Sequence, residues 1–240
     1  MLKRQLFCFF GLVFFAIGAI ILGIFVFPTI HLFCHNEKDY KAKCAQIVHK
    51  LWKILVKYLE ITNVLKVEYQ KEIASIKNKI IVASHPSYVD ILILIALVPN
   101  SLSIVKKSIL NNFIMKNVVK SLYITNDNSV EGFLSQSQAA LSEGFNIIIF
   151  PTGQRTDKND DIHIHKGAAK LAILTNTPIV PIKITTSDEF MPKNQSILNI
   201  GKHKVVFELK MQEEINVSDF SDENEIALRN KICAIIKEKI

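Results

Sequence analysis

Between Gln5 and Cys34 the chain has no aspartate, glutamate, lysine or arginine. An uncharged apolar stretch of that length is no ordinary surface segment. Its Gln5 to Phe27 part alone, at about 1.5 Å per helical residue, would cross a hydrocarbon layer roughly 30 Å thick. Cysteine is scarce and unpatterned. Cys8, Cys34, Cys44 and Cys233 form no C-x-x-C spacing, so they give neither a zinc ribbon nor a disulfide framework and read as free thiols facing a reducing cytosol. No internal repeat, low-complexity tract or separating linker divides the chain, and 240 residues at 49% hydrophobic suit one well-buried core rather than two.

What is present begins with charge. The formal net charge of +7 fits either nucleic acid or an anionic lipid surface, and the apolar segment beside the lysines favours lipid and not nucleic acid. Lys3 and Arg4 resemble a signal-peptide n-region, but the apolar run is too long and no A-x-A site follows it, so it reads as a retained anchor. Lys38, Lys41, Lys43, Lys50, Lys53 and Lys57 follow the segment. That excess places the remaining domain on the cytoplasmic side of a cell membrane, the bacterial inner membrane being the expected one. Pro28, Gly11, Gly18 and Gly23 also permit a bent helix that enters and leaves one leaflet. From Cys44 to Ile61, polar and basic residues recur every three or four positions among Ile47, Val48, Leu51, Trp52, Leu55 and Leu59. This predicts an amphipathic helix that packs on the core, lies in the headgroup region with Trp52 at the boundary, or does both. The expected organisation is an anchor over 1–36, a basic interfacial helix over 37–64 and a catalytic domain over 65–240.

Beyond residue 65 short β-branched runs alternate with helix-length segments. The expected strands are 79–83, 102–105, 122–125, 146–150, 179–185 and 204–209, and the expected helices 88–97, 112–121, 130–143 and 166–175, with a polar surface helix after Ser221. This alternation predicts an α/β fold, a single domain built on a central mixed, mostly parallel sheet flanked by helices.

Two motifs fall where those strands end. His85-Pro86-Ser87-Tyr88-Val89-Asp90 follows the first run, which presents an imidazole at a strand's C-terminal end, where α/β sheets place their ligands. An imidazole is well matched to taking a proton near neutral pH, and Asp90 could fix its tautomer and stabilise the imidazolium that forms. The same spacing, Ser87-x-x-Asp90, also fits a helix capping box, which would account for both residues without chemistry. Ser87 lacks the G-x-S-x-G elbow of a serine nucleophile. In the second motif, Phe150-Pro151-Thr152-Gly153-Gln154-Arg155, Gly153 permits a turn whose amides could face an anion, and Arg155 offers a fork for phosphate or carboxylate. Taken alone, the second motif could equally be an ordinary strand exit. Asp161, His163 and His165 share a face but define no metal-ligand set.

Together these blocks resemble the glycerolipid, or lysophospholipid, acyltransferase family, whose signatures are H-x-x-x-x-D, a lysine-led block, F-P-E-G-T-R-S and a V-P-I strand. The likeness runs from about residue 78 to 186. It matches His85 and Asp90 in the first block, Lys106 in the second, Phe150, Pro151, Gly153 and Arg155 in the third, and Val180-Pro181-Ile182 in the fourth. The resemblance implies transfer of a fatty acyl group from a thioester, acyl-CoA or acyl-acyl carrier protein, to the free hydroxyl of 1-acylglycerol-3-phosphate or a related lysophospholipid. His85 would be the base and Asp90 its orienting acid. Lys106, Thr152, Gly153 and Arg155 would bind substrate, with amides near Gly153 as an oxyanion site. No bound cofactor and no metal are implied, because the thioester is already activated. The implied partners are membrane lipids and the thioester carrier, which Lys193, Lys202 and Lys204 could dock if it is acidic. Thr152 and Gln154 depart from the family's glutamate and threonine, and Thr125-Asn126-Asp127 lacks a common arginine, which weakens the grip expected on a phosphate monoester. The rival readings are a membrane-anchored lipase or esterase and a non-catalytic membrane adaptor.

Overall fold

The computed structural model describes residues 2–106, 111, 116–126, 130–156, 163–220 and 224–237. Seven strands form one sheet: β1 (Leu65–Tyr69), β2 (Ile80–Ala83), β3 (Ser101–Lys106), β4 (Tyr123–Asn126), β5 (Asn146–Ile149), β6 (Ile179–Thr186) and β7 (Val205–Met211). Their spatial order is β1-β7-β6-β2-β5-β3-β4, and every neighbouring pair is parallel except β6 with β7. The mixed, mostly parallel sheet is therefore as expected from the alternation of elements. The central strands β2 and β5 are buried at every position, which is why Ile80–Ala83 and 147–149 read as continuous apolar runs rather than alternating ones.

Ahead of the sheet lie α1 (Leu2–Ile21), a π turn over Leu22–Val26, α2 (Phe27–Phe33) and α3 (Glu37–Ile61). The π turn precedes Pro28, whose missing N–H and bulky ring an unbroken α-helix would not accommodate. The Asn117 side chain donates to the Gly23 carbonyl at 3.0 Å, and a Cβ on Gly23 would stand 2.9 Å from the Asn117 Cβ. Leu2–Phe33 is long and apolar enough to cross a membrane by length and composition.

Its packing is that of a hairpin with α3. Arg4 donates to the carbonyls of Asn63, Val64, Ile200 and Gly201 at 2.9–3.3 Å, Tyr58 donates to the Phe7 carbonyl at 3.1 Å, and His31 meets Tyr40 edge-on. Phe15 stacks on Trp52 with ring centroids 5.0 Å apart. Trp52 is thus buried under α1, because α3 turns that face to it, as the packing alternative for this helix expects. The opposite face of the anchor exposes Leu6, Phe9, Phe10, Phe14, Ile17 and Phe25 among others.

The remaining helices are α4 (Asp90–Leu97), α5 (Lys116–Leu122), α6 (Val130–Ser142), α7 (Gly167–Thr175) and α8 (Glu225–Lys237). Three expectations need correction. β1 was not expected as a strand: it pairs on one side only, with β7, and alternates Lys66 and Glu68 with Leu65 and Val67, so charge obscures its apolar face. The C-terminal helix is not merely a polar surface element, since Leu228, Ile232 and Ile236 are buried at a four-residue spacing and the helix docks on α7 and β6. The helix after His85 starts at Asp90, two residues later than expected. Residues 112–115 of the expected 112–121 helix lie outside the described residues.

Candidate active site

Sheet register explains why the two motifs meet. Val82 on β2 pairs with Ile149 on β5 in parallel, so His85 and Phe150 leave adjacent strands at the same edge. Ser84 fixes the exit of β2: its hydroxyl donates to the Ile184 carbonyl at 3.0 Å and accepts from the Ile184 amide at 2.7 Å, which extends the ladder by one side chain. His85 then stacks on Phe150, with ring centroids 4.0 Å apart and planes 16° from parallel. The Thr156 amide donates to the His85 carbonyl at 3.0 Å and ties the second motif back to the first.

Asp90 is fully buried, and one of its oxygens, Oδ2, accepts twice: from His85 Nδ1 at 2.9 Å and from the Ser87 amide at 2.7 Å. The carboxylate half of the cap and the His-Asp bond, which the spacing leaves as alternatives, fall on the same atom. The helix starts at Asp90 with Val89 at its N-cap, and the Ser87 hydroxyl makes no bond to the Asp90 amide. A carboxylate has only acceptors to offer, so Nδ1 holds the proton in this bond and Nε2 is the basic nitrogen. Burial pushes the Asp90 carboxyl above its ordinary range, opposed by the His85 hydrogen bond and charge, the Ser87 amide and the Arg155 charge. Its Oδ1 is buried with no hydrogen-bond partner among the described residues.

Ser87 is itself fully buried, and its hydroxyl accepts the Val89 amide at 3.4 Å rather than reaching a substrate. The contact from Ser87 to Asp90 runs through the backbone, which any residue supplies. Ser87→Ala is therefore expected to cost about 0.5–1.5 kcal/mol of stability, the range for one intramolecular hydrogen bond, and to leave turnover within about twofold. Thermal melts and steady-state rates on the same preparation check this. A thousandfold loss of rate would instead make Ser87 the nucleophile of an esterase.

The turn after β5 is closed by the Gly153 amide, which donates to the Phe150 carbonyl at 2.9 Å. In this conformation that amide is not available as an oxyanion donor. Gly153 has φ +65°, the left-handed region its lack of a side chain allows, and a Cβ there would touch the His165 ring at 3.4 Å. Thr152 is buried and its hydroxyl donates to the Gln154 carbonyl at 2.7 Å, so in place of an acid it braces the turn. Arg155 lays its guanidinium 3.4 Å over the Tyr88 ring and donates from Nη1 to the Met191 carbonyl at 2.8 Å. Neither Tyr88 nor Met191 was singled out from the sequence. Met191 acts through a backbone atom, and Tyr88 occupies a variable position inside its motif.

Lys106 ends β3 at the same sheet edge, paired with Asn126, but its side chain lies outside the described residues. Asp161 also lies outside them. His163 and His165 are exposed, with rings edge-on at 5.2 Å. An apolar cavity of about 690 Å³ between α3, β1 and the end of α4 lies toward the opposite edge of the sheet, away from His85.

A histidine-carboxylate pair beside a glycine turn and a fixed guanidinium has a base, its orienting acid and an anion-binding group in one place. The family model described as Acyltransferase matches residues 64–185, just over half of the chain, a span that includes His85, Asp90, Phe150 and Arg155. The chain belongs to the acyltransferase family. It is similar to a Mycoplasma genitalium protein named "Probable 1-acyl-sn-glycerol-3-phosphate acyltransferase", 27% identical over 202 residues that cover 79% of this chain and 75% of the relative. A 1-acyl-sn-glycerol-3-phosphate acyltransferase of Borreliella burgdorferi is 27% identical over 169 residues, covering 68% of this chain and 64% of that one. Among solved structures, the 1-acyl-sn-glycerophosphate (LPA) acyltransferase PlsC of Thermotoga maritima superposes with a TM-score of 0.71 at 18% identity, over 98% of this chain and 94% of that chain. That likeness extends to the anchor hairpin, so the two share the whole fold. The protein is thus an acyltransferase, and both of these curated relatives are named for 1-acyl-sn-glycerol-3-phosphate.

Proposed function

We propose that this acyltransferase moves a fatty acyl group from a thioester, acyl-CoA or acyl-acyl carrier protein, to the free hydroxyl of 1-acylglycerol-3-phosphate at a membrane surface. His85 Nε2 removes the hydroxyl proton as that oxygen attacks the thioester carbonyl. The C–S bond breaks, the new ester bond forms, and the thiolate leaves with the proton held on His85. Asp90 holds the ring by Nδ1 and balances the imidazolium charge. Arg155, with Lys106 at the same sheet edge, binds the anionic headgroup, and no metal or bound cofactor takes part.

The observation that carries this reading is the single cluster of His85, Asp90, Phe150 and Arg155 at the C-terminal edge of β2 and β5. The acceptor is taken from the names of both relatives. It is chosen over less anionic lysolipids although Thr125-Asn126-Asp127 lacks an arginine. Membrane seating follows from the hairpin. Because α1 and α2 touch α3 from Phe7 to His31, and Arg4 is tied to the loop carbonyls of Asn63 and Ile200, the exposed row of Phe9, Phe10, Phe14, Ile17 and Phe25 can enter one leaflet along its length without leaving the domain. The cytoplasmic leaflet is the expected one, given the lysines that follow the anchor.

The test offers the purified full-length protein, in vesicles, three lysolipids that carry phosphate, phosphoglycerol or phosphocholine headgroups, each with acyl-CoA and with acyl-acyl carrier protein. Esterification of 1-acylglycerol-3-phosphate should be fastest, with no product when the thioester is omitted. Release of free fatty acid from the lysolipid without thioester would support the esterase reading instead.

A further inference from the structure

We infer that Tyr88 is a positioning residue that sets the grip on the acceptor headgroup by holding the Arg155 guanidinium flat beside His85. The inference rests on the proposed acceptor and goes beyond it, since no motif assigns this position a role. Tyr88 is 49% exposed, unusual for an aromatic residue between a half-buried histidine and a fully buried aspartate, so it is not retained to fill the core. Its ring lies 3.4 Å under the guanidinium carbon, a cation–π contact at close range. Arginine side chains have many rotamers. Stacking on one face removes most of them and leaves the planar fork pre-organised for a bidentate oxyanion.

A second constraint acts on the same group. Arg155 Nη1 is held by the Met191 carbonyl at 2.8 Å, and Met191 is 3% exposed with φ +48°, a left-handed conformation that costs a non-glycine residue energy. The Met191 amide donates to the Asn199 carbonyl at 2.6 Å and fixes that conformation. The guanidinium is therefore set on one face by a ring and at one nitrogen by a strained carbonyl. Such double definition is wasted on a solvated arginine but suits one whose orientation matters. With Thr152 bracing the turn and no arginine near Asn126, this chain depends heavily on the aim of Arg155.

The experiment measures acyl transfer by Tyr88→Leu and Tyr88→Phe proteins in vesicles, with 1-acylglycerol-3-phosphate and with uncharged monoacylglycerol as acceptors. Tyr88→Leu is expected to raise KM for the phosphate acceptor about 5- to 20-fold, in keeping with loss of one partly desolvated cation–π contact, with kcat within about twofold. KM for monoacylglycerol should not move, and Tyr88→Phe should match the wild type. Three results overturn the inference: an unchanged KM, an equal rise for both acceptors, or Tyr88→Phe as impaired as Tyr88→Leu. Binding of 1-acylglycerol-3-phosphate to His85→Ala protein, with and without Tyr88→Leu, reads the same 5- to 20-fold shift without turnover. If the wild type esterifies no lysolipid, the proposed function fails, and the binding comparison still decides the role of Tyr88.

Discussion

His85→Ala is expected to lower kcat for acyl transfer by about 10³- to 10⁴-fold, the upper part of the range for a general base, while the protein stays folded and bound to vesicles. The rate falls because the attacking hydroxyl loses its proton acceptor, and no other group in the described site stands in the same place. The fold survives because the side chain contributes only the bond to Asp90 and the stack on Phe150. Asp90 keeps the Ser87 amide, and without the opposing imidazole its carboxyl rises further toward the neutral form, which relieves the cost of a buried charge. Seating is untouched, since the exposed apolar row is carried by α1 and the π turn and not by the loop after β2. Rates with labelled thioester, circular dichroism and vesicle flotation on one preparation check all three. Retained transfer would remove His85 from the mechanism, and loss of flotation together with activity would mean that the substitution acts through the fold.

How far the chain could be read depended on whether a residue announces its partner. Strands β2 and β5 and the first half of β6 are apolar at nearly every position because both faces are covered, and such runs stand out between helical segments. His85 and Asp90 were legible because chemistry requires those residue types. Their relation was not, because the sequence cannot say that one carboxylate oxygen accepts from both an imidazole and a backbone amide. The place of Trp52 stayed open for a similar reason. The apolar positions of α3 include the anchor side and the core side, and only the meeting of Phe15 with Trp52 assigns that ring to the anchor. β1 and the buried face of α8 were hidden by charge: Lys66 and Glu68 flank Val67, and Leu228, Ile232 and Ile236 share their helix with Glu225, Arg229, Asn230 and Lys231. Met191 lay beyond reach altogether, since its contribution is a carbonyl oxygen and a dihedral angle.

Asp90→Asn separates the two duties of that carboxylate. Both of its hydrogen bonds fall on one oxygen, and the other oxygen has no partner, so an asparagine can place its carbonyl oxygen at the Oδ2 position and its NH₂ at the orphan. The cap and the Nδ1 tautomer are then kept. What is lost is negative charge beside an imidazole that becomes cationic as the hydroxyl attacks. At about 4 Å and an effective dielectric constant near 20, two full charges attract by about 4 kcal/mol, so kcat should fall by roughly 10²- to 10³-fold when the transition state carries most of the imidazolium charge. Stability should move the other way. Burial raises the folded-state carboxyl above its unfolded value, so the stability linked to its protonation is present below the unfolded range and is lost as pH rises through the folded one. Asparagine does not titrate. The Tm of Asp90→Asn minus that of the wild type should therefore increase as pH rises above about 4, the unfolded carboxyl's range, even as the variant loses activity at neutral pH. A Tm difference that falls instead would mean that His85 and Arg155 hold Asp90 ionised more strongly than burial opposes it, and the rate loss would then include a structural component.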